Sequence, residues 1–231
     1  NWASDSTTIH HRNESTQDSI GHYMGTTLIA RYLFLNDNIG AGRRLFLGIG
    51  LLIPSNNTFN NNPYQLSANN LRHTHFTLSD GNYKVITEIQ YFNRKKGLFF
   101  FGSTFRMDKS IKSSNYGYRT GDTFNYTSFV FLHHQKTLQY FSPFFTLSVS
   151  HKTKDFWEGD GPGTGYADNS DGGYLNAGFG INKTFGLFQV TITTNTPIKT
   201  WLTPAGDGVD QIKSKMKSFY CGISVKTVID Y

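Results

Sequence analysis

The feature of this sequence that most constrains its fold is an alternation of apolar with polar or small side chains. It is clearest at 43–53, where apolar residues such as Leu47 alternate with polar or small residues such as Gly48, and it recurs at 174–182 and 187–194. Successive side chains of a β-strand point to opposite faces, so a period of two predicts strands with two chemically different faces. Helical periodicity is almost absent. The chain is therefore predicted to be all-β.

The alternation predicts nine strands along the chain. They cover 20–35, 43–53, 82–92, 97–107, 119–133, 138–152, 174–182, 187–194 and 218–231. Several exceed the ~5–6 residues of a usual soluble strand and match the ~9–11 residues that cross a bilayer obliquely. We expect a single domain over residues 1–231.

The segments between these strands fall into two alternating length classes. Short connectors are expected near 36–42, 93–96, 134–137 and 184–186, and long polar ones at 54–81, 108–118, 153–172 and 198–217. The long connectors have the composition of loops, and neither the Asn-rich 55–62 nor the Gly- and Asp-rich 158–173 resembles an element that buries a core. Transmembrane barrels have short periplasmic turns and long extracellular loops. The fold class predicted is therefore an antiparallel, up-and-down transmembrane β-barrel.

The odd number of predicted strands leaves the position of one further strand undecided. Bacterial single-chain barrels have an even number of strands with both termini in the periplasm, so we expect about 10–12 strands. The additional strand either precedes the sequence, lies within residues 1–19, or is supplied by 70–79; otherwise 1–19 is a loop or a remnant. The sequence begins at Asn1 without a signal peptide, so either a leader has been removed or the chain continues upstream.

Composition excludes several other classes of protein. Charged residues make up 16% of the chain, below the roughly 25% of an ordinary soluble domain. No apolar run approaches the ~18 residues of a membrane helix. The net charge of +6 raises nucleic acid as a partner, but the basic residues form no stripe, so no nucleic acid is expected. The single Cys221 excludes an internal disulfide.

The last predicted strand ends in an aromatic residue that is in phase with its apolar positions. Ile223, Val225, Ile229 and Tyr231 share one face, opposite residues such as Lys226. This pattern resembles the C-terminal assembly signal of outer-membrane barrel proteins. The resemblance implies barrel-assembly machinery as a partner and the bacterial outer membrane as the location.

A second resemblance covers roughly the last two thirds of the chain. The segment Tyr118–Tyr126 (YRTGDTFNY) resembles the YRxGDxFNY segment of the phenol meta-degradation transporter-like family. Leu52–Ser55 resembles the family's LPTG-like strand end, and 173–198 resembles its late hairpin. Those proteins are outer-membrane barrels, and the resemblance implies passage of small, often hydrophobic molecules.

The polar faces of the predicted strands carry the candidate functional residues. A charge that faces lipid at mid-depth costs ~2–4 kcal/mol, so charged strand residues are expected to face the lumen. The lumen-lining candidates are Arg31, Arg44, Lys84, Glu88, Gln90, Arg106 and Lys226. They would form either an internal ion-pair plug or a narrow, mostly cationic route. Phe46, Leu52, Phe100 and Phe144 also face inward by phase, which suits an apolar ligand.

The sequence contains no recognisable catalytic or metal-binding motif. His73 and His75 would share a strand face but have no third ligand at suitable spacing, and the acidic residues of 155–171 match no calcium-loop signature. A nucleophile motif is also missing. We therefore expect neither an enzyme nor a cofactor.

Two functions from different classes remain open. The first is a porin-like channel or transporter that passes small hydrophobic or anionic solutes across the outer membrane of a Gram-negative cell envelope. The second is a non-conducting barrel that serves as the structural anchor or a subunit of an envelope complex. Outer-membrane lipid and lipopolysaccharide are expected partners of both, and envelope proteins of the second.

Overall fold

A computed structural model gives the fold of the chain. The structure describes residues 25–37, 40–55, 79–95, 99–115, 117–132, 141–158, 165–167, 170–185, 187–202 and 219–227. Within these ranges the regular structure consists of strands, and no helix is long and apolar enough to cross a membrane. The predicted all-β class is confirmed.

One antiparallel sheet contains nine of the strands. They are β1 Gly25–Asn36, β2 Gly42–Pro54, β3 Tyr83–Lys95, β4 Phe99–Lys112, β6 Thr123–Leu132, β7 Ser142–Lys152, β10 Gly172–Phe185, β11 Phe188–Leu202 and β12 Tyr220–Thr227. Each strand pairs with the next of this series along the chain. All nine predicted strands are present, with shifted ends.

The remaining strands lie in the long connectors. β5 Tyr118–Arg119, β8 Phe156–Trp157 and β9 Gly165–Tyr166 form a separate three-stranded sheet. Tyr118 and Trp157 pack together as a buried cluster. Both residues lie outside 55–62 and 158–173, the two segments predicted to bury no core, and the sequence did not predict this cluster. The predicted strand 119–133 was too long, since the chain leaves β-structure at 120–122.

The long and short connectors lie at opposite ends of the nine-stranded sheet. The segments 37–41, 96–98, 133–141 and 186–187 join strands at one end, which we call the short-turn end. The longer segments join them at the other end, the long-connector end. Because each connection reverses the chain, the first and ninth strands of this sheet, β1 and β12, run in the same direction.

The two faces of the sheet differ in chemistry and in exposure. Residues directly opposite each other on paired strands share a face, so the strand register assigns each side chain to one of them. The apolar face is exposed: Tyr32 is 70% accessible and Ile49 is 64% accessible. The polar face carries the most buried side chains of the sheet, including Ile86 and Glu88. This is the reverse of a soluble sheet, which buries its apolar face.

Candidate functional site

All seven predicted lumen-lining residues lie on the polar face. In the strand register, the residues directly opposite one another from β1 to β4 are Arg31, Gly48, Glu88 and Arg106. Lys84 and Gln90 lie on the same face of β3 as Glu88. Arg44 on β2 and Lys226 on β12 also point to this side. Their role as lumen residues remains a prediction.

The centre of the polar face is an ion-pair network. Arg31 donates through Nε to Glu88 Oε1 at 2.5 Å and through Nη2 to Oε2 at 3.3 Å. Gln90 Nε2 donates to Glu88 Oε1 at 2.7 Å. Arg106 pairs with Asp108 through two hydrogen bonds of 2.6 and 2.9 Å. The Glu88 side chain is only 6% exposed. Its contacts with Arg31 and Gln90 therefore offset the free-energy cost of burying a charged carboxylate.

Gly48 permits the Arg31–Glu88 pair. Arg31 is on β1 and Glu88 is on β3, so the pair must cross the intervening strand β2, where Gly48 is the residue opposite both. A Cβ atom at Gly48 would lie 3.1 Å from Glu88 Cβ and 3.5 Å from Arg31 Cγ. A larger side chain would occupy the space through which the arginine reaches its partner.

A second polar network lies at the long-connector end around Asp155. Its carboxylate accepts hydrogen bonds from the Tyr118 hydroxyl at 2.7 Å and from the Gly121 backbone NH at 2.7 Å. Lys152 Nζ lies 2.6 Å from Asp155 Oδ1. Burial and the neighbouring Asp155 charge raise the pKa of Tyr118, so the phenol keeps its proton and donates to the carboxylate. Asp155 thus joins β7 to the connector strand β5.

A related set of contacts fixes the entry into β3. Lys84 Nζ lies 2.5 Å from Asp80 Oδ2, which also accepts a 2.7 Å hydrogen bond from Thr120 Oγ1. Burial alone would raise the pKa of Asp80, but Lys84 and the hydrogen bonds outweigh it and lower that pKa. Lys84, predicted as a lumen residue, is therefore engaged by the connector rather than by the network of Arg31.

Six phenylalanines cover the polar face near the short-turn end. This phenylalanine layer comprises Phe46, Phe92, Phe100, Phe129, Phe131 and Phe144. Ring centroids of neighbouring members are 4.6 to 6.4 Å apart, in stacked, tilted and edge-on pairs. Contacts continue without a break from β2 to β7. Phe144 is only 5% exposed.

Glycines on adjacent strands make room for two rings of the layer. A Cβ atom at Gly102 on β4 would collide with the ring of Phe129 on β6. A Cβ atom at Gly180 on β10 would collide with the ring of Phe144 on β7. These strand glycines therefore serve the close approach of a neighbouring side chain.

Besides Lys84, two more of the predicted lumen residues lie apart from the ion-pair network. Arg44 donates to the Gly40 carbonyl at 3.3 Å near the short-turn end. Lys226 is exposed on the edge strand β12, opposite Gln189. Among the predicted assembly-signal residues, Ile223 and Val225 are exposed on the apolar face of β12. Ile229 and Tyr231 lie outside the described residues.

Sequence reasoning missed several members of this face. Asp108 was assigned to a connector, although β4 continues to Lys112. Phe92, Phe129 and Phe131 are in phase with residues that were named, so the alternation contained the signal for them. The sequence could not show that the rings meet, because the contacts join five strands.

The described residues provide no metal centre. In those parts of the chain, no group of three or more His, Cys, Asp or Glu side chains could hold a metal ion. His73 and His75 lie outside the described residues. What the polar face offers chemically is a charged network, hydroxyl and amide groups, and a packed aromatic layer.

Comparison with known proteins gave no assignment. No family model matches the chain, and no curated protein matches it.

Proposed function

We propose that the chain is an outer-membrane β-barrel that conducts small solutes through a narrow lumen lined by the polar face. The observation that carries this proposal is the inverted exposure of the sheet. Large apolar side chains such as Tyr32, Ile49 and Ile223 are exposed on one face, while Glu88 and Ile86 are buried on the other. Burying a broad apolar face in lipid removes this surface from water, which is the dominant favourable term in folding.

The placement of charges supports a lipid-facing apolar surface. The charged residues that the register assigns to the apolar face include Arg43, Lys95, Lys109, Lys183 and Lys199, all near strand ends. Lys183 lies over the rings of Phe141 and Phe185 at 4.6 and 4.3 Å. Aromatic and basic side chains are typical of membrane interfaces, where the amine reaches the polar layer.

Strand length fits a bilayer crossing. β10 has 14 residues and β2 has 13. At about 3.4 Å per residue and a tilt of about 40°, a strand of this length rises roughly 35 Å, enough to cover an apolar band about 25 Å tall.

The direction of the edge strands supports an even-numbered barrel. Because β1 and β12 run in the same direction, pairing them directly would join the edges in parallel. An antiparallel closure requires an odd number of further strands between them. One or three additional strands would give the predicted total of 10 or 12, in agreement with the even counts of bacterial barrels.

Ion conductance tests the channel function. Purified protein in planar bilayers should give discrete current steps in potassium chloride, and proteoliposomes should swell in an isotonic pentose solution. Fractionation of the native host should place the chain in the outer membrane. Recovery in the soluble fraction without detergent would contradict the barrel, and the absence of both current and swelling would contradict the channel.

The alternative function is a non-conducting barrel that anchors an envelope complex. The packed phenylalanine layer favours it, because rings such as Phe100 and Phe131 occupy space that a solute would need. The ordered connector sheet around Tyr118 and Trp157 would then be the partner surface. Stable co-purification of one envelope protein with a non-conducting barrel would support this alternative over the channel.

A further inference from the structure

We propose that the phenylalanine layer is the permeability-determining constriction of the channel, an apolar barrier that opposes the passage of hydrated ions. This inference rests on the proposed channel function and goes beyond it, because it assigns the barrier to particular side chains. Those side chains are the six defined above, on five consecutive strands of the sheet.

The position of the layer distinguishes it from the rest of the polar face. Towards the long-connector end, the next row begins with Phe46 at the rim of the layer and continues through Gln90, Thr104, Thr127 and Ser148 on successive strands. Beyond that row lies the network of Glu88. Water and ions find hydrogen-bonding partners in both of these rows. Arg44, Arg94 and Thr146 adjoin the layer in the same rows, but the rings themselves offer no hydrogen-bonding group. Over the rings, a hydrated solute would therefore lose its partners.

The layer continues across the last three strands with small residues. The row that contains Phe100, Phe131 and Phe144 runs on through Gly180, Thr193 and Gly222. In a closed barrel, the bulky rings of one wall would therefore face or adjoin a wall of small side chains. The passage left in such a barrel would be narrow and would have one apolar wall.

Such a passage limits the flow of ions in two ways, by its width and by whether water fills it. Hydrophobic constrictions in channels gate by dewetting, because water is unstable in a narrow space without hydrogen-bonding groups. Removing one central ring should lower the barrier by widening the passage. Replacing that ring by a polar side chain should lower it as well, because the passage then holds water.

Phe100 gives the sharpest test, since its ring contacts Phe92, Phe129 and Phe131. The matched control is the next residue, Phe101, which lies on the apolar face against Tyr91 at 6.2 Å. The variants Phe100→Ala, Phe100→Asn, Phe101→Ala and Phe101→Asn would be compared with the unmodified chain in planar bilayers containing potassium chloride. Heat-modifiable mobility on gels would verify folding of each.

We expect both Phe100 variants to raise single-channel conductance by about threefold or more, and both Phe101 variants to leave it within about twofold. Phe100→Asn should conduct at least as well as Phe100→Ala, although asparagine is larger. Should a Phe100 variant fail to fold, Phe46→Ala at the rim of the layer, with Leu47→Ala as its control, makes the same comparison.

The outcomes separate the two proposals. If the unmodified chain conducts and the folded Phe100 or Phe46 variants conduct equally, the layer is not the constriction, while the channel function stands. If neither the unmodified chain nor any folded variant passes ions or a pentose, the channel function itself is wrong and the inference falls with it.

Discussion

At the scale of single residues, the polar face depends on partners that are distant in sequence. Arg31 and Glu88 are separated by 57 positions and meet only because Gly48 leaves space between them. Each of the two charged residues was predictable as a polar-face residue from its phase in an alternating strand. Their pairing was not, because phase gives the face of a side chain but not its neighbour on the next strand.

Removal of the arginine tests this pair. Arg31→Met would leave the buried Glu88 carboxylate without its main partner, so we expect the free energy of unfolding to fall. Half of the Arg31 side chain is exposed, which limits the loss. Urea titration of the protein in lipid vesicles would measure it.

The double variant Arg31→Met/Glu88→Gln provides the control, because it removes both charges. It should recover part of the lost stability, and the resulting coupling energy isolates the pair. Additive effects of the two single substitutions would show that the ion pair contributes nothing to stability.

At the scale of elements, the strands followed from periodicity while the connectors did not. An alternation over ten or more residues is a strong signal, so nine strands were predicted correctly. β5, β8 and β9 have two residues each and carry no period. Their core forms through contacts between Tyr118 and Trp157, whose rings are 4.9 Å apart. Contacts of this kind between different connectors leave no local pattern.

The packing of β4 against β6 gives a prediction at this scale. Gly102→Ala would place a methyl group against the Phe129 ring, so we expect a loss of about 1–3 kcal/mol in the free energy of unfolding. Phe129→Leu in the same chain should restore part of the loss, since the smaller side chain leaves room.

The measurement is again urea unfolding in vesicles, with Gly222→Ala as the matched glycine control. A Cβ atom at Gly222 meets only the Thr193 hydroxyl within contact range, so this substitution should cost less. Equal losses at both glycines would mean that contact with the ring is not what requires glycine at 102.

At the scale of the whole molecule, the proposed function depends on which face of the sheet meets lipid. Ile223 and Ser224 are neighbours on β12 and point to the apolar and polar face respectively. Both belong to a strand that is exposed along its whole length, so a lysine has room at either position. A difference in stability between lysine variants at these two positions would therefore report the surroundings of the two faces and not a difference in packing.

We expect Ile223→Lys to lower the free energy of unfolding in lipid vesicles by about 1–3 kcal/mol, because the amine would face the acyl chains. Ser224→Lys should change it much less, since this side chain would face the polar side. The comparison would be made by urea titration of both variants in the same vesicles. Similar losses for the two variants, or a larger one for Ser224→Lys, would contradict the assignment of the apolar face to lipid.

The sequence by itself determined the strands, their two faces and the sorting of short and long connectors. These properties are local, because the alternation within one strand specifies the face of the sheet to which each side chain points. Only the tertiary structure decided the register, which carries irregularities between Leu33 and Leu35 and between Tyr83 and Lys84. Contacts between connectors set Tyr118 against Asp155, whereas register brings Arg31 to Glu88 and assembles the phenylalanine layer. Register depends on the packing of several strands at once, which no single stretch of sequence contains.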